Sequence, residues 1–399
     1  MNVLILSTYE KAGGAAIAAS RLCRSLQKNG VNASMLTSGK GCIKGHTWQF
    51  LWERLVILIR NRFSSLNLWA VDIANAGEDI TATEAFRRAD VIHLHWINQG
   101  FLSIQTIEKI VSSGKTIVWT MHDAWNSTGI CHLTLGCDNY RQECGCCKYL
   151  AVRSDNDLSH KIWKKKRSLY SKNNIRFVSC SEWLRNEVLG SKLMAQQQVV
   201  TIPNPIDTSC YYPCGKTASR QALGLPHDKK LLLFVAQGVN NPNKGMQYLI
   251  DAMQAIEDKN IALVMLGGRA SQIIDALDGI TVYALGYVTD TETIRQVYSA
   301  ADAFVLPSLS ENLPNTIMEA MACGTPCVGF NVGGIPEMIS HRQTGYVAEY
   351  RNADDLAAGI RYVLDEANTE RLSQESLRKV REQYSEDVVA SKYMELYNG

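Results

Sequence analysis

No stretch of this sequence is apolar over a length that crosses a bilayer. The most apolar run, Leu55 to Ile59, is fenced by Arg54 and Arg60 and falls far short of the roughly 20 residues a spanning helix needs. A cationic leader is missing as well. The opening residues, Met1-Asn2-Val3-Leu4-Ile5-Leu6, read as a buried strand and not as a secretory signal. Both absences lead us to expect a cytoplasmic protein whose twelve cysteines are reduced, with no disulfide framework. Net charge is almost absent, +2 over 399 residues, so no nucleic acid or other bulk polyanion is expected as partner. There is no low-complexity tract and no short-period repeat.

What is present is an ordinary globular composition, 46% hydrophobic and 20% charged, in a chain long enough for two domains. Short apolar runs alternate with amphipathic stretches. Val3–Leu6, Val91–His95, Thr116–Thr120 and Phe177–Ser179 read as strands in the first half. Leu231–Ala236, Ala262–Leu266, Ala303–Pro307 and Pro326–Phe330 do so in the second. Helical patterns such as Ala15–Lys28, Gly245–Ile256 and Thr291–Ala300 lie between them. Strand–helix alternation of this kind argues for parallel sheets covered on both faces, and it occurs twice. The expected fold is α/β, two Rossmann-like doubly wound domains facing a cleft. The junction falls near Ile202-Pro203-Asn204-Pro205. The expected division is 1–203, 204–375, and a final helix over 376–399 packing back on the first domain.

In parallel sheets ligands bind beyond the carboxyl ends of the strands. In the second half, Ser308-Leu309-Ser310-Glu311-Asn312-Leu313-Pro314-Asn315-Thr316-Ile317-Met318-Glu319-Ala320 occupies such a place. Asn312 can cap a helix and Pro314 suits its first turn. The N–H groups from Leu313 through Asn315 to Thr316 then form an anion site suited to a diphosphate. Glu311 sits in the loop, and Glu319 lies further along the helix. A carboxylate accepts two hydrogen bonds at once, which suits a vicinal diol. Two exposed glutamates on a helix edge are the plain alternative. The setting, with Gly333-Gly334-Ile335-Pro336-Glu337 downstream, argues against chance.

The run Glu311 to Glu319, continuing Glu-Ala-Met-Ala-Cys-Gly-Thr-Pro, resembles the Glu-x7-Glu signature of glycosyltransferase family 4. The resemblance covers nearly the whole chain and is strongest from Phe234 to Gly345. It implies a GT-B fold, retention of anomeric configuration, and no cofactor or metal for catalysis. It implies that Glu311 contacts the hexose hydroxyls of a nucleotide-diphosphate sugar, Glu319 the ribose, and the amides around Leu313 and Pro314 the diphosphate or sugar. A second element, Phe234-Val235-Ala236-Gln237 followed by Lys244-Gly245, leaves a strand and enters a helix. There a lysine supplies a point charge for phosphate. The family usually pairs this lysine with an arginine where this chain has Gln237, and Arg269 after Leu266-Gly267-Gly268 is the candidate substitute.

The first half reads as the acceptor side. Gly13-Gly14-Ala15-Ala16 opens a helix after the first strand, where glycine lets backbone approach a ligand. It is not G-x-G-x-x-G, and Thr37-Ser38 ends the second strand without an acid, so a dinucleotide site is disfavoured. A tight turn with no ligand is the alternative; the resemblance favours Gly14 near the donor phosphates or the acceptor. By the same resemblance His122, followed by Asp123, contacts the donor sugar, with a structural histidine at a strand end the alternative. His95-Trp96 ends another strand and could shape the acceptor pocket, with core packing the alternative for Trp96. No second carboxylate is placed as a nucleophile, so front-face substitution through an ion pair fits better than double displacement. The expected acceptor is a glycan or a lipid-linked glycan in cell-surface polysaccharide or lipopolysaccharide synthesis. Two rivals stand beside this reading. One is a metal-dependent hydrolase using His93, His95 and His122, with His132 as a further ligand. The other is a non-catalytic nucleotide-sugar binding protein.

Two further patterns stand apart. From Trp48 to Phe63 a helix places Trp48, Leu51, Trp52, Leu55, Ile59 and Phe63 on one face. Downstream, Lys161, Lys164, Lys165, Lys166 and Arg167 surround Ile162 and Trp163. Basic and aromatic residues so interleaved suit an anionic membrane, here the inner face of the cytoplasmic membrane. An ordinary surface helix is the alternative. Finally, Cys131, Cys137, Cys144, Cys146 and Cys147 crowd one loop region. Cys144 and Cys147 have a chelating spacing, and Cys131 and Cys137 complete a four-sulfur set for a structural zinc. Some family members show a similar Thr-Gly-Gly-Cys-His stretch with spaced cysteines. Here Ile130 replaces the second glycine and Cys146 is an extra candidate. Buried, reduced cysteines are the alternative.

Overall fold

The structure is a computed structural model that describes residues 1–38, 46–172, 174–273, 277 and 279–399. The side chain of His46 lies outside the described residues. Strands form where the apolar runs lie, and all of them pair in parallel. The first sheet comprises β1 (Asn2–Ser7), β2 (Asn32–Thr37), β3 (Val91–Leu94), β4 (Thr116–Met121), β5 (Arg176–Ser179) and β6 (Val199–Thr201), in the order β2-β1-β3-β4-β5-β6. The second comprises β7 (Lys230–Gly238), β8 (Ile261–Gly268), β9 (Thr281–Gly286), β10 (Ala303–Leu306), β11 (Cys327–Phe330) and β12 (Gly345–Ala348), in the order β12-β11-β10-β7-β8-β9. Each order reverses direction once, between β1 and β3 in the first sheet and between β7 and β10 in the second. At such a switch the loops leaving the two strands diverge and open a crevice.

The chain divides into two compact units, Met1–Pro203 with Val389–Gly399, and Asn204–Val388. In the first unit the period of two along each strand sends alternate residues to opposite faces. Leu4, Leu6, Ile92, Leu94, Ile117, Trp119 and Phe177 enter one core. Val3, Ile5, Val91, Val118 and Val178 enter another, which is closed by Val389, Ala390, Tyr393 and Tyr397 of the Glu386–Asn398 helix. Polar groups fix that helix: Tyr397 Oη lies 2.7 Å from His93 Nδ1, Tyr393 Oη 2.9 Å from Thr120 Oγ1, and Arg176 donates to the Leu396 carbonyl at 2.5 Å. In the second unit Leu232, Phe234, Leu263, Met265, Val305, Val328 and Phe330 share one core with Leu249, Ile250 and Met253 of the Met246–Ile256 helix.

Candidate functional site

In the second unit the loops leaving three neighbouring strands converge. After β7, Asn241 accepts from the Asn243 amide at 3.0 Å and starts a turn over Pro242–Lys244. Gly245 follows with φ +70, and a Cβ there would stand 1.8 Å from the Pro307 carbonyl oxygen. Only glycine allows this approach, and it brings Lys244 beside the segment that leaves β10. That segment is fastened by Leu309 N donating to Asn243 O at 2.8 Å and by Asn243 Nδ2 donating to Ser310 O at 3.2 Å. Lys244 Nζ then donates to Glu311 Oε1 at 2.5 Å, with the two side chains 27% and 14% exposed. After β11, Gly333 has φ +60 and would place a Cβ 1.7 Å from the Glu311 carbonyl oxygen, while Gly334 N donates to Asn312 O at 2.9 Å. Glu311 thus sits at the β7/β10 switch, gripped from both sides.

The helix expected after Glu311 begins at Asn315, with Pro314 at the cap position and no side chain capping it. This corrects the expectation that Asn312 caps it with Pro314 in the first turn. Proline already holds φ near −69° and leaves the next residue free to enter the helix. Leu313 and Pro314 are buried, and Asn315 and Thr316 half-buried. The positive end of the helix dipole favours an anion. Glu319 is 8% exposed, and its Oε2 accepts from the buried Tyr298 hydroxyl at 3.0 Å. Burial first, and then the Glu319 charge, raise the Tyr298 phenol well above its ordinary range, so it remains a donor. No motif in the sequence marks Tyr298, which lies on a different helix from Glu319. Gln237 and Arg269 are both exposed, at the ends of adjacent strands β7 and β8. Arg269 is left-handed at φ 65 and forms no described contact with Lys244 or Glu311.

The first unit gathers its candidates at the other switch. Gly13 precedes the Gly14–Lys28 helix at φ 87 and ψ 162, a conformation only glycine takes readily, although a Cβ there would meet nothing. Gly14 is the first helical residue. Thr8, just past β1, donates its amide to Trp96 O at 2.7 Å, tying the β1 and β3 loops together. His95 Nδ1 lies 2.9 Å from His122 Nε2, and His122 Nδ1 3.4 Å from Cys180 Sγ. Burial pushes His122 down to about 4 and His93 to about 3, so both are neutral at pH 7. Trp96 Nε1 donates to Asp123 Oδ2 at 3.0 Å. The same oxygen is 2.7 Å from His132 Nδ1, whose Nε2 is 2.7 Å from Asp72 Oδ2. Desolvation lowers His132, but the charges and hydrogen bonds of Asp123 and Asp72 outweigh it and raise the imidazole to about 10.

These contacts do not support the hydrolase reading. Both nitrogens of His93 are engaged by hydroxyls, Tyr397 on one side and Thr120 at 2.7 Å on the other. His132 is an imidazolium clamped between two carboxylates. Among the described residues no group of three or more His, Cys, Asp or Glu side chains is arranged, as they stand, to hold a metal ion.

The apolar face of the His46–Arg60 helix and its extension points outward. Trp48 is 77% exposed, Trp52 55% and Phe63 74%, with Leu51, Leu55, Ile59, Leu66 and Trp69 exposed alongside them. The buried side carries charge instead. Glu53 Oε1 accepts from the amides of Ile73 and Ala74 at 2.7 Å, and Arg54 holds the carbonyls of Leu68 and Val71 and pairs with Asp72. The helix is anchored by ions and presents its hydrocarbon. The basic run downstream is corrected in part. Ile162, Trp163 and Lys166 are buried in the core side of the Leu158–Ser171 helix, leaving only Lys161, Lys164, Lys165 and Arg167 exposed. No helix among the described residues is long and apolar enough to cross a membrane.

Two parallel six-stranded sheets of this order have the GT-B fold, and the families that the chain matches are glycosyltransferases. The chain belongs to glycosyltransferase family 4: residues 12–209 match the family described as Glycosyltransferase Family 4, and residues 229–366 match Glycosyl transferases group 1. It is 28% identical to an uncharacterized glycosyltransferase, MJ1607, of Methanocaldococcus jannaschii over 357 residues, 82% of this chain and 89% of that one. Among solved structures, sucrose-phosphate synthase of Thermosynechococcus elongatus superposes with a TM-score of 0.70 at 20% identity, covering 100% of this chain and 98% of that one. Alr3699/HepE of Anabaena, solved with UDP-glucose, superposes with a TM-score of 0.65 at 16% identity, covering 100% and 99%.

Proposed function

We propose that this glycosyltransferase moves a hexose from a nucleotide-diphosphate sugar, with retention, to a glycan or lipid-linked acceptor in cell-surface polysaccharide synthesis. The observation that carries the donor assignment is the Lys244–Glu311 pair beside the uncapped start of the Asn315–Ala322 helix. In this reading Lys244 and the backbone N–H groups of Leu313 and Asn315, on either side of Pro314, take the charge of the departing diphosphate, the place where transition-state stabilisation is strongest. Glu311 accepts from sugar hydroxyls, and Glu319, held by Tyr298, from the ribose. Gln237, Arg269 and Gly14 border the phosphates. The bond from the anomeric carbon to the phosphate oxygen breaks, with its electron pair leaving on the diphosphate. The acceptor hydroxyl adds on the same face, and its proton passes to the departing phosphate oxygen. In the same reading neutral His122 packs beside the sugar, its ring nitrogens held by His95 and Cys180; His95 and Trp96 shape the acceptor side. The chemistry needs no metal.

A uridine donor is the first to test, since HepE was solved with UDP-glucose. We also assign the exposed Trp48–Trp69 surface to the inner face of the cytoplasmic membrane, where lipid-linked acceptors lie. Residues 46–70 contain one acid, the buried Glu53, while Arg60 and Arg62 are exposed, a balance that suits anionic headgroups. The experiment is a thermal-shift screen of nucleotide-diphosphate sugars, followed by transfer to polyprenyl-diphosphate-linked sugars with the product anomer read by NMR. Stabilisation by one donor and a product of retained configuration are expected. An inverted anomer would overturn the mechanism, and no stabilisation by any donor would overturn the donor site.

A further inference from the structure

The proposed transfer leaves one stretch without a role, Thr128-Gly129-Ile130-Cys131-His132. It lies in residues 122–157, which connect β4 to the Leu158–Ser171 helix with little regular structure, a short turn at Ala124–Ser127 and a four-residue helix at Asn139–Gln142. So long an irregular connection inside a domain is uncommon and usually functional. Of its cysteines, Cys131, Cys144 and Cys147 are buried, Cys137 is half-buried and Cys146 exposed, and no three of them are placed to hold a metal ion. Hydrogen bonds hold the loop instead. Lys166 Nζ donates to the carbonyls of Trp125 at 2.6 Å and Thr128 at 3.1 Å. The Thr128 hydroxyl donates to the Cys131 carbonyl at 2.6 Å, and the Ala124 amide to the His132 carbonyl at 3.0 Å. Gly129 passes so close to Ser159 that a Cβ would stand 2.3 Å from its carbonyl oxygen. The chain folds back on itself and delivers His132 beside Asp123, two residues past β4.

Both ring nitrogens of His132 meet carboxylates, Asp123 Oδ2 on one side and Asp72 Oδ2 on the other, each at 2.7 Å. An ionised carboxylate only accepts, so both nitrogens carry protons and the ring bridges the two acids as a cation. Asp72 is 2% exposed. Its other oxygen takes Arg54 of the His46–Arg60 helix, and its backbone carbonyl accepts from Trp125 Nε1 at 2.9 Å. The second oxygen of Asp123 accepts from the Trp125 amide at 2.9 Å. The oxygen it shares with His132 also accepts from Trp96 Nε1 at 3.0 Å. Arg54, Asp72, His132 and Asp123 thus form a run of alternating charge, each in contact with the next, from the outward-facing helix to the end of β3.

Trp96 stands where this run ends. Besides its N–H, its carbonyl is held, accepting from the Thr8 amide at 2.7 Å. Its ring is flanked by Tyr9, with centroids 6.2 Å apart at 23°, and by His132, with centroids 5.5 Å apart at 37°. Tyr9 Oη in turn donates to Gln99 Oε1 at 2.8 Å. Yet Tyr9, Trp96 and Gln99 all remain half-buried, unlike Trp119, Trp125 and Trp163, which fill the interior. A tryptophan oriented through so many contacts while it still meets solvent presents a fixed surface. Supports of this kind are what hold a binding group within the fraction of an ångström that productive geometry needs.

We propose that His132 is a positioning residue of the acceptor side: bridging Asp72 and Asp123, it fixes the Trp96 ring and joins it through Arg54 to the helix that carries the exposed apolar face. The inference rests on the reading of Trp96 as part of the acceptor side. A lipid-linked acceptor reaching the enzyme along that helix then meets an aromatic surface set by the same residues that anchor the helix. His132 touches no substrate and takes no part in bond making.

The test compares His132→Gln with the wild-type full-length protein in two ways. In isotope-labelled protein the Trp96 indole N–H resonance, assigned by its loss from Trp96→Phe, should shift and exchange faster with solvent in His132→Gln. In steady-state kinetics, with the donor and the polyprenyl-diphosphate-linked sugar that give transfer in the wild type, the acceptor KM should rise roughly tenfold to a hundredfold. The donor KM should stay within about twofold, a split that general loosening of the fold would not produce. Should His132→Gln fail to fold, Asp72→Asn decides: it keeps the shape of the bridge and should raise the acceptor KM about threefold, again with the donor KM unmoved. Trp96→Ala separates the two levels of the reading. An acceptor KM unchanged in Trp96→Ala removes the acceptor role of Trp96 and the proposal with it. A KM raised in Trp96→Ala, with acceptor KM and indole resonance unmoved in His132→Gln or Asp72→Asn, overturns the positioning role alone, as does an equal rise in donor and acceptor KM.

Discussion

Lys244 and Glu311 stand 2.5 Å apart at the point where the second sheet reverses its order, one at the end of each diverging loop. In the ligand-free protein each neutralises the other. In the proposed function, a diphosphate at the Asn315 helix start would compete for Lys244 and release Glu311 toward hydroxyl groups. Removing either partner leaves the other charge without a match. Lys244→Ala and Glu311→Ala should each lower turnover by roughly tenfold to a hundredfold, the equivalent of about 1.5–3 kcal/mol. Donor consumption measured at saturating acceptor checks this, and full activity in both variants would remove the pair from the site.

Backbone, more than side chains, brings these loops together. Gly245→Ala and Gly333→Ala each add a methyl where a carbonyl oxygen stands within 1.8 Å, at positive φ. Each should destabilise the second unit by more than about 1 kcal/mol and weaken donor binding, because the loop must move away from Glu311. Gly13→Ala meets no atom, so its cost is conformational only, about 1 kcal/mol. Chemical denaturation of the three variants side by side gives the comparison. Equal stability of all three would show that the close approaches are relaxed in solution.

The outward apolar helix should bind vesicles. Trp48→Ser together with Trp52→Ser is expected to abolish sedimentation with anionic vesicles while leaving the denaturation midpoint unchanged, since both side chains are exposed. Arg60→Glu with Arg62→Glu should weaken binding and remove its salt dependence. Vesicle binding unchanged in both double variants would return the face to the role of an ordinary surface.

Acid should unfold the first unit early. In the unfolded chain histidine titrates near 6.5, whereas burial holds His93 at about 3 and His122 at about 4. Their folded values are depressed, so their contribution is complete above pH 6.5 and is lost as pH falls toward them. Each group removes up to about 1.4 kcal/mol per pH unit over that range. His132, raised to about 10, runs the other way: its contribution is complete below 6.5 and lost as pH rises toward 10. His93→Gln should therefore flatten the fall in unfolding free energy between pH 6.5 and 4.5. Urea titrations across that window measure the slope, and an identical slope in the variant would reject this account.

The inner strands were legible because they are buried and read as short apolar runs; β6, β9 and β12 were not singled out, and β9 is only half-buried to exposed. Lys244 and Glu311 were legible because each follows such a run. Other features depended on chain segments far apart in sequence. His132 finds Asp72 sixty positions away, and Glu319 finds Tyr298 on a different helix. The hidden Lys166 could have been read: Ile162, Trp163, Lys166, Leu169 and Tyr170 are spaced as one helical stripe, and the charge alone obscured it. The face of the Trp48 helix could not be oriented from periodicity, because its apolar stripe is the exposed one. What turns it outward is the anchoring of Glu53 and Arg54 to backbone groups that no pattern announces.

The return of Val389–Gly399 to the first unit bears on synthesis. While residues 1–203 emerge from the ribosome, the face bearing Val3, Ile5, Val118 and Val178 has no cover, and His93 lacks the hydroxyl of Tyr397. Asn204–Val388 is contiguous and can close its own core first. The earlier-made segment therefore waits for residues made after the second unit, with an apolar surface open until they emerge. Its dependence on chaperones, and the yield lost when the Glu386–Asn398 helix is removed, should both exceed those of the unit formed by Asn204–Val388.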